Sequence, residues 1–140
     1  MTRINLVPVE ELADQHLVAE YREIFMVGSS LQRSIKSKNW EYTKANLPES
    51  FTLNAGHVKF FYNKGKYLND RYIDLRAEMV LRGMKPDPSR VFKSWQFPED
   101  LYKSYVPTEA AMDIVRERIT ERINLKPDWY RYSSHRAWQQ

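Results

Sequence analysis

The stretch PVEELADQHLVAEYREIF, residues 8–25, predicts the first element of the fold. Pro8 is tolerated in the first turn of a helix, and Glu10 and Glu11 lie where the positive end of the helix dipole favours acidic side chains. At about 100° per residue, the apolar side chains of the stretch fall on one broad face, formed by Ala13, Leu17, Val18, Tyr21, Ile24 and Phe25. The stretch is therefore predicted to be a long amphipathic helix packed on a core.

A second face of this helix carries His16, Ala19 and Glu23, each one turn from the next, with three neighbours beside them: Gln15, Arg22 and Met26. Because the side chain of Ala19 is small, it leaves a depression between two titratable groups. The spacing predicts a site at this depression. From the pattern alone, the alternative that Glu23 is an ordinary exposed carboxylate beside a solvated Arg22 also stays open.

The pattern beyond residue 25 predicts shorter elements and then a second long helix. Gly28-Ser29-Ser30 is expected to interrupt the first helix, residues 31–40 to form a short basic helix, and residues 43–50 to form a loop. HVKFFYNK, residues 57–64, predicts a short aromatic helical segment. Residues 66–83 predict a long helix that ends at Gly83 and has one apolar stripe, formed by Leu68, Tyr72, Leu75 and Met79.

The C-terminal part of the chain predicts an irregular segment followed by a third long helix. Residues 86–107 contain four prolines and are expected to be mostly irregular. Helix resumes at about Thr108, with an inward face formed by Ala111, Ile114 or Val115, and Ile119. Without an alternating strand pattern or a repeat, the expected fold is all-α. It is a compact single domain over residues 1–140, with three main helices, long loops and an aromatic C-terminal tail.

The composition limits the chemistry. The 140 residues contain no cysteine, and the three histidines are far apart, which excludes disulfides and cysteine nucleophiles and predicts no metal site. His57 is expected to be a core or supporting residue. The sequence has no apolar run long enough to cross a membrane and no signal-peptide pattern at its start. A cytoplasmic protein without a membrane partner is therefore expected.

Charge is distributed unevenly in this basic chain. The formal net charge is +4, yet residues 1–25 hold five acidic side chains against only Arg3 and Arg22. The basic excess lies in residues 33–44, 59–93 and 126–136. A basic surface gains free energy by releasing counterions from phosphates, so a polyanion is a plausible partner.

The C-terminal stretch LKPDWYRYSSHRAWQQ, residues 125–140, interleaves aromatic and basic side chains. Such a pattern can stack on bases while its cations hold phosphates. It can equally tie the tail to the core through its aromatic rings. Both interpretations stay open for Trp129, Tyr130, Tyr132 and Trp138, which lie among the cations Lys126, Arg131 and Arg136 and near His135.

Four stretches taken together resemble the phage endonuclease V type pyrimidine dimer DNA glycosylases with AP lyase activity. They are MTRINL at 1–6, ELADQHLVAEYRE at 11–23, AGHVKFFY at 55–62 and WYRY at 129–132. The likeness extends over nearly the whole chain at near-equal spacing. It implies an all-α enzyme without a cofactor whose substrate is double-stranded DNA carrying a cis-syn cyclobutane pyrimidine dimer. We expect a monomer.

The resemblance also implies the catalytic groups. The initiator Met1 is removed, and Thr2 supplies its α-amine as the nucleophile that forms an imine at the sugar C1′, from which β-elimination follows. An α-amine has a pKa near 7.7–8.0 and is substantially neutral at cellular pH, as the chemistry requires. Glu23 matches the essential carboxylate, which stabilises positive charge at C1′. Nearby phosphates and desolvation are expected to raise the pKa of Glu23.

The remaining site residues implied by the resemblance bind DNA. Arg3 and Arg22 hold the phosphates and the lesion, and Gln15 and His16 shape the site. The aromatic stretch contributes DNA contacts from Trp129, Tyr130, Arg131 and Tyr132.

The chain departs from the phage pattern in three places. Phe25 and Met26 stand where the phage enzyme has Pro and then Arg, residues 26–49 match poorly, and the tail ends in SSHRAWQQ. Two alternatives therefore stay open: the same chemistry on another damaged or modified base, and a non-catalytic protein that binds distorted DNA. A retained Met1 would block the amine of Thr2.

Overall fold

The computed structural model describes residues 3–133. Within this range the protein has five α-helices and no strand: α1 (Asp14–Ile35), α2 (Trp40–Ala45), α3 (His57–Phe60), α4 (Gly65–Leu81) and α5 (Glu109–Leu125). Three short 3-10 helices, Val9–Glu11, Ser94–Gln96 and Glu99–Leu101, lie in the connections. The all-α prediction is confirmed, and α1, α4 and α5 are the three main helices.

The core forms where α1 packs against α4. Each of the four predicted stripe residues of α4 is buried, namely Leu68, Tyr72, Leu75 and Met79. From α1, Leu17, Tyr21 and Ile24 are buried against them, and the Tyr21 and Tyr72 rings stack with centroids 6.0 Å apart. Since burying one large apolar side chain contributes about 1.5–3 kcal/mol, this pairing fixes the position of α1 and of its outer face.

The prediction for the start of α1 is wrong by several residues. Residues 9–11 form a 3-10 helix, Leu12 is extended, and α1 begins at Asp14 with Ala13 as its N-cap. Leu12 and Ala13 are both buried. The two extended residues before α1 therefore place these apolar side chains in the core.

The predicted interruption at Gly28-Ser29-Ser30 is also wrong, because α1 continues to Ile35. Gly28 allows close packing, because a Cβ atom at this position would overlap the side chain of Gln96. The hydroxyl of Ser30 is 2.6 Å from the Tyr62 hydroxyl. Small and polar residues are tolerated in the middle of this helix because neighbouring segments approach it closely.

The elements predicted for residues 31–50 change accordingly. Residues 31–35 belong to α1, and Leu31 is fully buried in the core. The separate short helix is α2, which begins at Trp40 and ends at Ala45. Residues 43–45 are therefore helical, and the predicted loop begins only after them.

The second half of the chain follows the predictions closely. Gly83 comes directly after the α4 C-cap with a φ of 85°, a conformation that suits glycine. Residues 86–107 are irregular apart from the two 3-10 helices. The Thr108 hydroxyl accepts a hydrogen bond from the Ala111 amide at 3.0 Å and caps α5. Val115 is buried whereas Ile114 is 43% exposed, so Val115 is the inward-facing residue. None of the helices in residues 3–133 is both long and apolar enough to span a bilayer.

Candidate active site

The segment formed by residues 3–7 is held against α1 and α3 by hydrogen bonds from three consecutive amides. Their acceptors are Glu23 Oε2 for the Arg3 amide (3.3 Å), His57 Nε2 for the Ile4 amide (2.9 Å) and Glu20 Oε1 for the Asn5 amide (3.1 Å). Ile4 is completely buried. The beginning of the described chain is therefore fixed in register with the outer face of α1.

A buried ion pair anchors this segment on its other side. The fully buried Glu20 carboxylate accepts two hydrogen bonds from the Arg71 guanidinium, at 2.7 and 3.0 Å. Arg71 also donates to the Val7 carbonyl at 2.6 Å. Burial alone lowers the pKa of Arg71, but the Glu20 charge outweighs it and raises that pKa above the usual value. Between Asn5 and Val7, Leu6 has a φ of 59°, so the pair holds both ends of a tight, strained turn.

His57, the first residue of α3, holds the same segment through the Ile4 amide. Its Nδ1 atom lies 2.8 Å from the Thr52 carbonyl, while Nε2 accepts from the Ile4 amide. A carbonyl only accepts and an amide only donates, so the ring is neutral with its proton on Nδ1. Burial lowers the pKa of His57 from the ordinary histidine value. The prediction that His57 is a core residue is confirmed.

A cavity of about 280 Å³ opens between α1 and α5 beside this segment. His16, Ala19 and Glu23, the three residues predicted to surround a depression, all line it. The remaining walls come from Arg3, Asn5, Glu20, Arg118, Ile119, Arg122 and Tyr130. The structure thus brings two carboxylates, the fully buried Glu20 and the half-buried Glu23, together with one histidine and three arginines around a single opening.

The electrostatics of the cavity are set by burial and by this excess of cations. Burial raises the pKa of Glu23 above the ordinary glutamate value, although the hydrogen bond from the Arg3 amide opposes the shift. Burial, followed by the charges of Arg118 and Arg122, lowers the pKa of His16. Burial and the charges of Arg118 and Arg122 also lower the pKa of Arg3. The positive charges of the clustered arginines repel one another, and an anion in the opening would relieve this repulsion and be stabilised by them.

Sequence reasoning missed Arg118 and Arg122. Both lie on α5, four residues apart, and reach the cavity from the side opposite α1. A signal was present, since at about 100° per residue they share a helical face with the buried Ala111 and Val115. Two cations in line with the buried stripe of an amphipathic helix indicate a site, because that face of a helix is usually occupied by apolar side chains.

The tail formed by residues 129–133 packs along the start of α1. Gln15 holds it by donating to the Trp129 carbonyl at 2.7 Å and accepting from the Arg131 amide at 3.1 Å. The Asp14 amide donates to the Arg131 carbonyl at 2.7 Å, and the Asp14 carboxylate accepts hydrogen bonds from Ser133. Gln15 therefore positions the tail and does not line the cavity.

This arrangement divides the aromatic stretch into two parts. The Tyr130 ring stacks on His16 with centroids 4.8 Å apart and forms a wall of the cavity. Trp129 and Tyr132 remain 54% and 57% exposed, and Arg131 is also exposed. One ring thus ties the tail to the site, and the others are presented to solvent.

Some predicted residues do not line the cavity, and others lie outside residues 3–133. Arg22 is exposed and does not line the cavity; its carbonyl accepts a hydrogen bond from Arg90 at 3.5 Å. Thr2 lies outside the described residues, as do His135, Arg136 and Trp138 of the tail. Within residues 3–133, no cluster of three or more His, Asp or Glu side chains is placed to hold a metal ion.

The fold and cavity are those of a small helical protein with a half-buried carboxylate in a cationic opening. Residues 1–91 match the protein family described as pyrimidine dimer DNA glycosylase. This match covers well over half of the 140 residues, and the chain belongs to this family. The resemblance drawn from the sequence is confirmed, and the protein is a DNA repair enzyme of the glycosylase class that acts on DNA.

Proposed function

We propose that this protein excises the 5′ base of a cyclobutane pyrimidine dimer and then cleaves the DNA strand, using the α-amine of Thr2 exposed by removal of Met1. The observation that carries the proposal is the 3.3 Å hydrogen bond from the Arg3 amide to Glu23. Consecutive Cα atoms are about 3.8 Å apart, so the amine of the preceding residue starts within about one residue length of that bond. Connectivity alone supports placing nucleophile and carboxylate at one site.

The proposed reaction has two stages. The neutral amine attacks C1′ of the 5′ nucleotide, the C1′–N1 glycosyl bond breaks, and the base leaves and takes up a proton. The bound amine then gives a proton to Glu23, and O4′ takes up that proton as the C1′–O4′ bond opens, which leaves a protonated imine that joins the protein to the sugar. The imine acidifies the C2′ hydrogen, so that removal of this proton expels the 3′ phosphate. Water then hydrolyses the imine and restores the amine.

Glu23 is proposed to act as the carboxylate of both stages. Its negative charge stabilises the cation that develops at C1′ when the base leaves, and it accepts and returns protons during imine formation and elimination. Its raised pKa, caused by burial, makes it a better proton acceptor than an exposed glutamate. A half-buried carboxylate suits this role because solvent screens its charge less than that of an exposed one.

The other cavity residues are proposed to bind the substrate. Arg3, Arg118 and Arg122 supply the positive charge that attracts the phosphates flanking the lesion. His16 is held against Tyr130, and within residues 3–133 its buried Nδ1 has no hydrogen-bond partner. It can therefore orient a polar atom of the sugar or base.

The exposed residues are proposed to extend the DNA surface beyond the cavity. Arg22 lies next to Glu23 on the outer face of α1. Trp129, Arg131 and Tyr132 project from the tail that Gln15 holds in place. Exposed aromatic rings beside cations can stack on bases that are already displaced from the helix by the lesion.

Borohydride trapping tests the imine. The Met-processed protein, incubated with a duplex that carries one dimer and then reduced, should become covalently attached to the DNA. We expect Glu23→Gln to retain lesion binding but to lose trapping and cleavage by at least about a hundredfold, the usual range for one catalytic group. Glu117→Gln, an exposed carboxylate on α5 outside the cavity, is the matched control and should behave as wild type.

An N-terminal extension by one residue should suppress trapping in the same assay. Full activity of the extended protein would show that a side chain is the nucleophile. Binding without trapping in any form would identify a non-catalytic binder of distorted DNA.

The range of lesions is a separate question. The tail that forms one wall of the cavity lies beyond residue 91, where the family match ends. This supports the second candidate, the same chemistry on another damaged base. Trapping should therefore be repeated on a panel of duplexes carrying a dimer, an abasic site or a ring-opened purine.

A further inference from the structure

A second cavity lies on the other flank of α1. Its volume is about 510 Å³, and it is enclosed by Phe25 and Ser29 of α1 together with the segment 87–96. We call it the Arg90 pocket after its most strongly held cation. None of its lining residues belongs to the candidate active site.

Arg90 is fixed in this pocket through both its backbone and its side chain. Its amide donates to the Asp87 carbonyl at 3.2 Å, and its carbonyl accepts from the Tyr72 hydroxyl at 2.9 Å. The guanidinium lies 4.4 Å from the centre of the Phe25 ring and donates to the Arg22 carbonyl. A stacked guanidinium loses little further freedom on binding, so it is well suited to receive an anion.

The charges around the pocket favour an anion. Lys93 also lines it, as do the polar side chains of Ser29 and Ser89. Its one acidic side chain, Asp87, directs Oδ1 onto the amide and hydroxyl of Ser89, at 2.9 and 2.8 Å. Two exposed cations therefore face one carboxylate that already has hydrogen-bond donors, and the pocket presents a net positive charge.

The position of the pocket relative to Glu23 suits a duplex lying across α1. At 100° per residue, Ser29 is about 120° around the helix from Glu23, and the exposed Arg22 lies between them. With a rise of 1.5 Å per residue and a diameter of 10–12 Å, the two positions are roughly 13 Å apart. Since one strand carries a phosphate per 3.4 Å of helix axis, this span corresponds to roughly four nucleotides.

We infer that the Arg90 pocket binds a backbone phosphate of the DNA, within a few nucleotides of the sugar that reacts at Glu23. This inference rests on the proposed function for the position of the lesion, although the phosphate contact itself requires only a bound duplex. Phe25 stacks on Arg90, and Lys93 adds a second cation. The hydroxyls of Ser29 and Ser89 can donate further hydrogen bonds to the phosphate. The contact positions the duplex without reading its sequence.

The salt dependence of duplex binding tests the contact. Each neutralised phosphate contributes a slope of about −0.9 in log K against log salt, so removing one contact costs about eightfold in affinity at 0.1 M salt. We expect Arg90→Gln to lose about this much on both undamaged and dimer-containing duplexes, with the slope reduced by about one. Arg90→Lys should keep the slope. Lys66→Gln is the control because it removes one exposed cation of α4 that pairs with Asp70.

Single phosphates of the duplex are then replaced by neutral methylphosphonates. For the wild type, one or two positions near the lesion should each weaken binding about eightfold, and the same positions should have almost no effect with Arg90→Gln. The inference would be overturned if no methylphosphonate position lost its effect in Arg90→Gln. It would also be overturned if Arg90→Gln and Lys66→Gln reduced duplex affinity equally. Inorganic phosphate should inhibit duplex binding by the wild type more strongly than duplex binding by Arg90→Gln. Equal inhibition of the two proteins would also overturn the inference. Failure of borohydride trapping would instead contradict the proposed function and leave this binding result interpretable.

Discussion

Replacing Glu20 by Gln should destabilise the fold and slow the chemistry, although Glu20 is not proposed to touch the reacting atoms. The Glu20 carboxylate accepts two hydrogen bonds from Arg71 and one from the Asn5 amide, and it is completely buried. A glutamine can still accept from Asn5, but its NH₂ group faces the N–H groups of Arg71. The guanidinium is then left buried without a counter-charge.

The magnitude follows from that uncompensated charge. Removing one partner of a buried ion pair costs about 3–5 kcal/mol, a large part of the 5–15 kcal/mol that stabilises a typical domain. For a chain of this length, this corresponds to a decrease in Tm of roughly 10–20 °C. Urea denaturation followed by the circular dichroism of the helices measures the free energy of unfolding, and a thermal melt measures Tm.

The effect on catalysis is separable from the loss of stability. At 15 °C the variant should remain mostly folded, yet its trapping rate should fall because residues 3–7 lose an anchor. Glu78→Gln is the matched control, since Glu78 is also buried and pairs with Arg82, whose second carboxylate partner is Asp14 of α1. Arg82 keeps Asp14 as a partner, so this control should lose less stability and keep its trapping rate. A loss below 1 kcal/mol for Glu20→Gln, or equal trapping by both variants, would refute the reasoning.

Two further predictions concern residues that support the site. Burial holds the folded pKa of His57 below 6.5, so the unfolded chain takes up this proton first and stability should fall as pH drops below 6.5. Urea denaturation between pH 7.5 and 5.5 should show a shallower fall for His57→Gln, and identical slopes would contradict the assignment. Gly65→Ala should destabilise by about 1–3 kcal/mol, since the new Cβ would lie 2.6 Å from Cγ of Phe97. The exposed Lys66→Ala should change stability by no more than about 0.5 kcal/mol in the same denaturation series, and an equal effect at both positions would argue against steric overpacking.

Local periodicity predicted the parts of the fold that depend on neighbouring turns of one helix. His16, Ala19 and Glu23 line the cavity as expected, and the four stripe residues of α4 are buried. Gly83 ends α4 because the required positive φ is a local property of one residue. In each case the prediction needed only the spacing of residues on one helix face or the conformation of a single residue, which is what a helical pattern encodes.

The errors arose where a distant segment decides the local structure. Gly28 was expected to break α1, but the helix continues because Gln96, remote in sequence, packs against the glycine. Gln15 was expected to help shape the site, and its contact with the site runs through the tail, because it binds the backbone of Trp129 and Arg131 on either side of Tyr130. Neither outcome can be obtained from propensity, since the deciding partner is more than sixty residues away.

The same limit explains which part of the active site was missed. The groups that position Glu23 and the start of the chain come from pairs separated by about fifty residues, such as Glu20 with Arg71 and Ile4 with His57. In the proposed mechanism these residues do no chemistry, yet they determine whether the amine of Thr2 can reach Glu23. A nucleophile carried by a chain terminus has only one covalent connection to hold it, unlike a side chain within a helix. Its placement must therefore come from hydrogen bonds along the following backbone, and substitutions there should reduce the reaction rate without removing any reacting atom.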